Sequence, residues 1–179
     1  MARLAVGDRL LDVGCALQPN LYLRGTSVAG LDLREMEVRP PYTEHVVADV
    51  YALDQIMPSR LFDTILMGEF IEHVERPFDL LRMLRGHLSP GGRLVLSTPN
   101  VLSFPMVMAE YLCLRRFYYT EEHTFTLSPR WVWRLLERSG YGVLETRGCG
   151  LCVGSGGWLP APISLSLLVI YAAAPVQGA

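Results

Sequence analysis

The sequence contains no lysine. All sixteen basic residues are arginines, set against eighteen acids for a formal net charge of −2. With no positive excess and no long basic stripe, general nucleic-acid binding is not expected. Long apolar runs are also missing. The longest, near "LSLLVIYAAA", falls well short of the roughly 20 residues a membrane-spanning helix needs, and the first residues lack the charged-then-apolar layout of a signal peptide. The cytoplasm is therefore the expected compartment. Cysteine is scarce: Cys15, Cys113, Cys149 and Cys152 do not form a disulfide framework in a chain of 179 residues. Cys149 and Cys152 make a C-x-x-C, but without a second pair or a nearby histidine zinc would be under-ligated, and "RGCGLCVGSGG" reads as a loop. No linker, repeat or low-complexity tract interrupts the chain, which predicts a single domain over residues 1–179.

Short apolar runs alternating with helical patterns are what the sequence does have. The strand candidates are 9–14, 27–33, 45–50, 62–68, 92–98, 140–146 and 166–172, all rich in Val, Ile and Leu. One helix is expected from Pro77, with Phe78, Leu81, Leu84 and Leu88 at spacings of three and four. A second is framed by Ser128, Pro129 and Gly140, and its buried stripe is read from Trp131 with Leu135 and Val132 with Leu136. Together these predict an α/β fold, a Rossmann-like, doubly wound, mostly parallel seven-stranded sheet with helices on both faces. The apolar and aromatic stretch 101–119 has no clean period and reads as mixed helix and loop.

In such a sheet the ligand sits outside the carboxyl ends of the strands. Those ends carry Asp12-Val13-Gly14, Asp32, Asp49 and Gly68-Glu69. A carboxylate just ahead of the first loop would repel a pyrophosphate, which disfavours a nicotinamide dinucleotide. It would welcome a cationic nucleoside such as S-adenosylmethionine, whose ribose hydroxyls Asp32 could bind and whose adenine amino group Asp49 could meet.

"LLDVGC", "VAGLDL", "VVADVYAL", "FDTILMGEFIEHVERPFDLLRMLRGHLSPGGRLVLSTPN" and "HTFTLSPRWVWRLLERSGYGVLE" together resemble a class I S-adenosylmethionine-dependent methyltransferase, in the small-molecule, methyltransferase type 11-like branch. The resemblance runs from about residue 9 to 147. It implies S-adenosylmethionine as cofactor, S-adenosylhomocysteine as its product and a small-molecule acceptor. It also implies that Asp12, Gly14 and Cys15 line the methionine end, Asp32 and Leu33 the ribose and adenine edge, and Asp49 and Val50 the adenine, with Gly68 and Glu69 closing the sulfur side. No metal is implied, since no acid cluster has an evident ligand spacing.

The chain departs from the family pattern at two places. Family members continue "DVGCGxG", whereas Ala16 and Gln18 stand at the later glycine positions and Pro19 follows. Gln18 either bonds the cofactor carboxylate or fills its space, and Pro19 favours a tight turn into a short helix. The usual N-terminal cover is also short, because the first strand begins near residue 9. A partner subunit, a second copy, or the 101–127 segment acting as a substrate lid could supply it.

Methyl transfer needs alignment and removal of the acceptor's proton. Of the four histidines, His45 and His87 read as bystanders. His73 lies four residues after Glu69, which could orient it, or else His73 pins the loop before Pro77. His123, beside Glu121 and Glu122, falls where the resemblance places an active-site loop. Arg115 and Arg116 with Phe117, Tyr118 and Tyr119 could bind an anionic or aromatic acceptor or form a solvated turn. The expected function is methyl transfer to a small molecule. The competing one is a non-catalytic subunit of the same fold that scaffolds or regulates a partner enzyme.

Overall fold

A computed structural model describes residues 1–112, 123–153 and 157–176, with backbone alone at 151–153 and 157–158. The strands are β1 (Arg9–Val13), β2 (Ser27–Asp32), β3 (Glu44–Val47), β4 (Phe62–Gly68), β5 (Leu88–Pro99), β6 (Tyr141–Gly148), β7 (Leu151–Val153), β8 (Gly157–Leu159) and β9 (Leu168–Pro175). Seven form one sheet in the order β3-β2-β1-β4-β5-β9-β6. β1 to β5 pair in parallel, and β9 runs antiparallel between β5 and β6. All seven expected sheet strands form, with β5 starting earlier, at Leu88, and β9 ending later, at Pro175. The stretch read as a loop around Cys149 instead contains the small β7–β8 hairpin, whose strands are three residues each. Runs that short carry no detectable alternation.

The helices are α1 (Leu53–Ile56), α2 (Pro77–Gly86), α3 (Phe104–Tyr111) and α4 (Pro129–Arg138). Proline in the first turn starts each of the last three, where its missing N–H costs no hydrogen bond. Side chains alternate across the strands, so Leu11, Val13, Ile65, Met67, Leu94 and Leu96 face one way. Leu53 of α1, Leu80, Leu81 and Leu84 of α2, and Val132, Leu135 and Leu136 of α4 close that layer. Each such fully buried side chain is worth roughly 1.5–3 kcal/mol of apolar transfer.

Two residues of the expected stripes lie outside this core. Phe78 is 39% exposed and Trp131 62% exposed, and they meet across a shallow cleft between α2 and α4. Leu80 takes the buried place instead.

The opposite face is covered differently. Leu10, Val28 and Leu66 pack against Leu23, Met36 and Tyr42, and Leu4 from a 3₁₀ turn at Ala2–Leu4 packs on Val95 and Ala172. The short helix expected after Pro19 is absent: residues 14–26 run as turns and extended chain from β1 to β2. Thirteen residues leave little room for a crossover helix. A buried tether organises them instead. The Tyr42 hydroxyl donates to Asp12 Oδ2 at 2.5 Å and accepts from the Asn20 N–H at 2.8 Å.

Candidate functional site

Parallel strands deliver their carboxyl ends to one rim, and there a cavity of about 460 Å³ opens over β1, β2 and β3. Val13, Leu31 and Val50 make its apolar floor, and Asp32, Leu33 and Asp49 line its edge. Four of the sequence-expected cofactor residues, Asp32, Leu33, Asp49 and Val50, thus converge. Asp32 accepts from the Ala16 and Arg34 N–H groups, each at 2.9 Å, which aims its carboxylate along the rim. Asp49 caps the following 3₁₀ turn by accepting from the Tyr51 N–H at 2.9 Å. Each oxygen keeps a lone pair for a ligand hydroxyl or amine. Tyr51 is itself fixed. Its hydroxyl accepts from the Arg76 N–H, and the Arg76 guanidinium stacks 4.7 Å from its ring centre, forming the outer wall.

Other expected ligands lie elsewhere. Strand alternation sends Asp12 to the opposite face with Leu10, where Tyr42 binds it. Burial pushes its carboxyl up to about 6 against the lowering effect of that hydrogen bond. Cys15 is buried against Gly30 in the same layer, where burial and the nearby Asp12 and Asp32 charges raise its thiol to about 12. Gln18 is exposed and lines no part of the cavity. Gly14 does lie at the rim, with φ +75°, and its N–H bonds Leu31 O at 2.8 Å. A Cβ there would fall 2.4 Å from Phe70 Cδ2, so both the backbone and the contact demand glycine.

After β4 the chain makes an unusual turn. Glu69 adopts φ +48°, a left-handed conformation costly for a side-chain-bearing residue. Its N–H is held by Ser97 O at 3.0 Å and Ser97 Oγ at 3.2 Å. A 3₁₀ turn, Ile71–His73, follows, in place of the α-helical spacing expected from Glu69 to His73. Desolvation raises the Glu69 carboxyl and the His73 charge opposes the rise. Gly68 sits beside Met1 Sδ and Ser97 Oγ.

The two histidines singled out from the sequence meet. His73 and His123 pack edge to face with ring centres 4.7 Å apart. The segment bearing His123 is pinned by Thr124 N–H and Phe125 N–H to Glu72 O, at 2.9 and 3.4 Å. Glu121, Glu122 and the Arg115–Tyr119 cluster lie outside the described residues. His45 and His87 stay apart from the site. His87 is buried between Asp54 Oδ1 (2.8 Å) and Arg60 O (2.9 Å).

Sequence reasoning missed Glu72, which is 1% exposed. Among the described residues neither of its oxygens closes a well-formed hydrogen bond, although Thr98 stands near. Burial is the main reason its carboxyl is pushed up to about 7, with the Glu69 charge adding to it. Its carboxylate and the ring nitrogens of His73 and His123 approach within 4.8 Å of one another. Such a set can pass a proton, and by donor type could also hold a divalent cation. No periodicity reveals it, because His123 comes from fifty residues downstream of the other two.

Comparison with known proteins places the chain in context. Residues 1–146 match the family model described as a methyltransferase domain. The ubiquinone biosynthesis O-methyltransferase of Leptothrix cholodnii is 29% identical, over 91% of this chain and 77% of that protein. Its counterpart in Aeromonas salmonicida is 27% identical, over 79% and 66%. The chain thus spans about two thirds to three quarters of the length of these relatives. The crystal structure of a SAM dependent methyltransferase from Archaeoglobus fulgidus superposes with a TM-score of 0.64 at 17% identity, covering 95% of this chain and 87% of that one.

Proposed function

The chain belongs to the methyltransferase domain family, and from that premise we propose that it transfers a methyl group from S-adenosylmethionine to an oxygen, nitrogen or carbon of a small-molecule acceptor. The observation that carries this reading is one cavity with acids at the ends of β2 and β3 on one side and His73, packed on His123, on its wall. The residues fit the cofactor. An apolar floor accepts a purine, Asp32 and Asp49 accept from ribose and adenine donors, and a rim rich in carboxylates favours a sulfonium. When bound, the cofactor supplies a methyl already attached to a good leaving group. What remains for the protein is alignment and proton removal. His123 or His73 takes the acceptor's proton. Glu72, its carboxyl pushed up to about 7 by burial, sits against that pair as a proton partner and positioning group. Glu69, fixed by Ser97, sets the angle at which the turn presents His73.

The 101–127 segment, anchored at one end by α3 and at the other by the bonds from 124 and 125 to Glu72, serves as the acceptor-side cover of a single domain. No metal is required in this proposal; a chelator that abolished transfer would reassign Glu72, His73 and His123 as cation ligands. The cytoplasm remains the proposed location, supported by the free thiols of Cys15 and Cys149. Among the described residues no helix is long and apolar enough to cross a membrane.

A non-catalytic subunit of the same fold is the second reading. The observation favouring it is Phe70 lying on Gly14 while Gln18 points to solvent. Calorimetry with S-adenosylhomocysteine tests the first reading, which expects micromolar binding; folded protein giving no heat refutes it. Turnover by the isolated chain rules out the second.

A further inference from the structure

Strand order puts β1 between β2 and β4. The cavity crosses the end of β1 at Val13, with Asp32 and His73 both on its wall, and stops short of Gly14. Gly14 itself is covered. A Cβ built on Gly14 would stand 2.4 Å from Cδ2, 3.1 Å from Cε2 and 3.3 Å from Cγ of Phe70, so the ring lies directly on the glycine. The cavity accordingly includes Phe70, Asp32, Asp49 and His73 but not Gly14, Ala16 or Gln18. Phe70 sits at a joint, between the left-handed Glu69 and the 3₁₀ turn that begins at Ile71, and belongs to neither regular element.

We infer that Phe70 is a specificity-determining residue at the edge of this cavity, leaving room for a purine nucleoside over Val13 and Leu31 and closing the way of the amino-acid tail to Gly14 and the chain that follows it until its ring swings away. This rests on the cofactor reading above and deepens it. A nucleoside without a tail enters the pocket as it stands. A nucleoside carrying a methionine or homocysteine tail binds only the fraction of molecules whose ring has moved, and its apparent affinity falls by that fraction. The site therefore holds adenosine-class nucleosides unusually well relative to S-adenosylhomocysteine, and they compete with the cofactor.

The test is calorimetric titration of the wild-type chain, Phe70→Ala and Phe70→Leu with adenosine and with S-adenosylhomocysteine. Removing the ring is expected to tighten S-adenosylhomocysteine binding about tenfold in Phe70→Ala and less in Phe70→Leu, while adenosine affinity stays within about twofold. Phe70→Leu keeps an apolar cover on Gly14, so one variant remains informative if the alanine variant unfolds. Unchanged or weaker S-adenosylhomocysteine binding in a folded variant overturns the inference, as does parallel weakening of both ligands, which would make Phe70 a wall of the nucleoside pocket. If neither ligand binds wild type or variants that unfold cooperatively, the cofactor reading itself fails and this inference falls with it.

Discussion

Replacing Glu72 by Gln isolates the energetic cost of a carboxyl that the fold buries without a good partner. Its pKa is about 7 in the folded chain, raised from an ordinary value of 4.5 by burial. A group whose folded pKa is raised contributes stability fully present below its unfolded pKa and lost as pH climbs through the folded one. Between about pH 4.5 and 7 the native state holds a proton that the unfolded chain has released. Glu72 alone thus lowers unfolding free energy by about 1.4 kcal/mol per pH unit, or roughly 3 kcal/mol across the window. Gln has nearly the shape of the neutral acid and does not titrate. Glu72→Gln should therefore match wild type near pH 4.5 and exceed it by up to about 3 kcal/mol at pH 8, a difference of about 10 °C in melting temperature for a domain of this size. Urea unfolding at several pH values, followed by circular dichroism with equal m-values required, measures the difference directly. Parallel pH profiles for the two proteins would refute the reasoning, because Glu72 would then ionise alike in both states.

Three further outcomes are expected. Gly14→Ala should cost about 2–4 kcal/mol, from the left-handed backbone and the collision with Phe70, and pairing it with Phe70→Ala should recover the collision's share in a double-mutant cycle. His123→Ala should lower kcat by about 10²–10⁴ while leaving S-adenosylhomocysteine affinity nearly unchanged, and an equal loss of affinity would place its ring in the cofactor pocket instead; His73→Ala, whose ring lines the cavity, should lower kcat by a similar factor with a smaller loss of affinity. His87→Ala should remove about 1–3 kcal/mol of stability without altering ligand binding, since it empties a buried site and leaves Arg60 O without its partner while the exposed Asp54 is rehydrated.

Strand identity was legible because parallel strands buried on both faces read as Val, Leu and Ile runs bounded by glycine and acid, and Asp32 and Asp49 follow from strand ends alone. The surroundings of Asp12 were not legible for a simple reason. Its position at the end of β1 suggested a ligand contact, but side-chain alternation points it with Leu10 to the opposite face, and its partner Tyr42 lies thirty residues away. The expected helix after Pro19 rested on the fixed φ of that proline, which the short β1–β2 connection overrides. Glu72 and Phe70 left no signal because both sit in a run, "GEFIEHV", whose irregular turn hides which side chain faces inward. Trp131 shared a helical spacing with Leu135, yet the stripe's edge, where a large aromatic can stay half in water, is invisible to periodicity.

The place of β9 governs when the sheet can be finished. Among the seven sheet strands it comes last in sequence, yet it hydrogen-bonds to β5 and β6 at once. A nascent chain that has reached residue 167 therefore carries two raw strand edges separated by an empty slot one strand wide. Closing it demands contacts between segments far apart in sequence, a slow step during which those edges are open to foreign strands. The parallel half bearing the ligand rim can assemble earlier, so completion of the fold and completion of the pocket are separate events in the life of the chain.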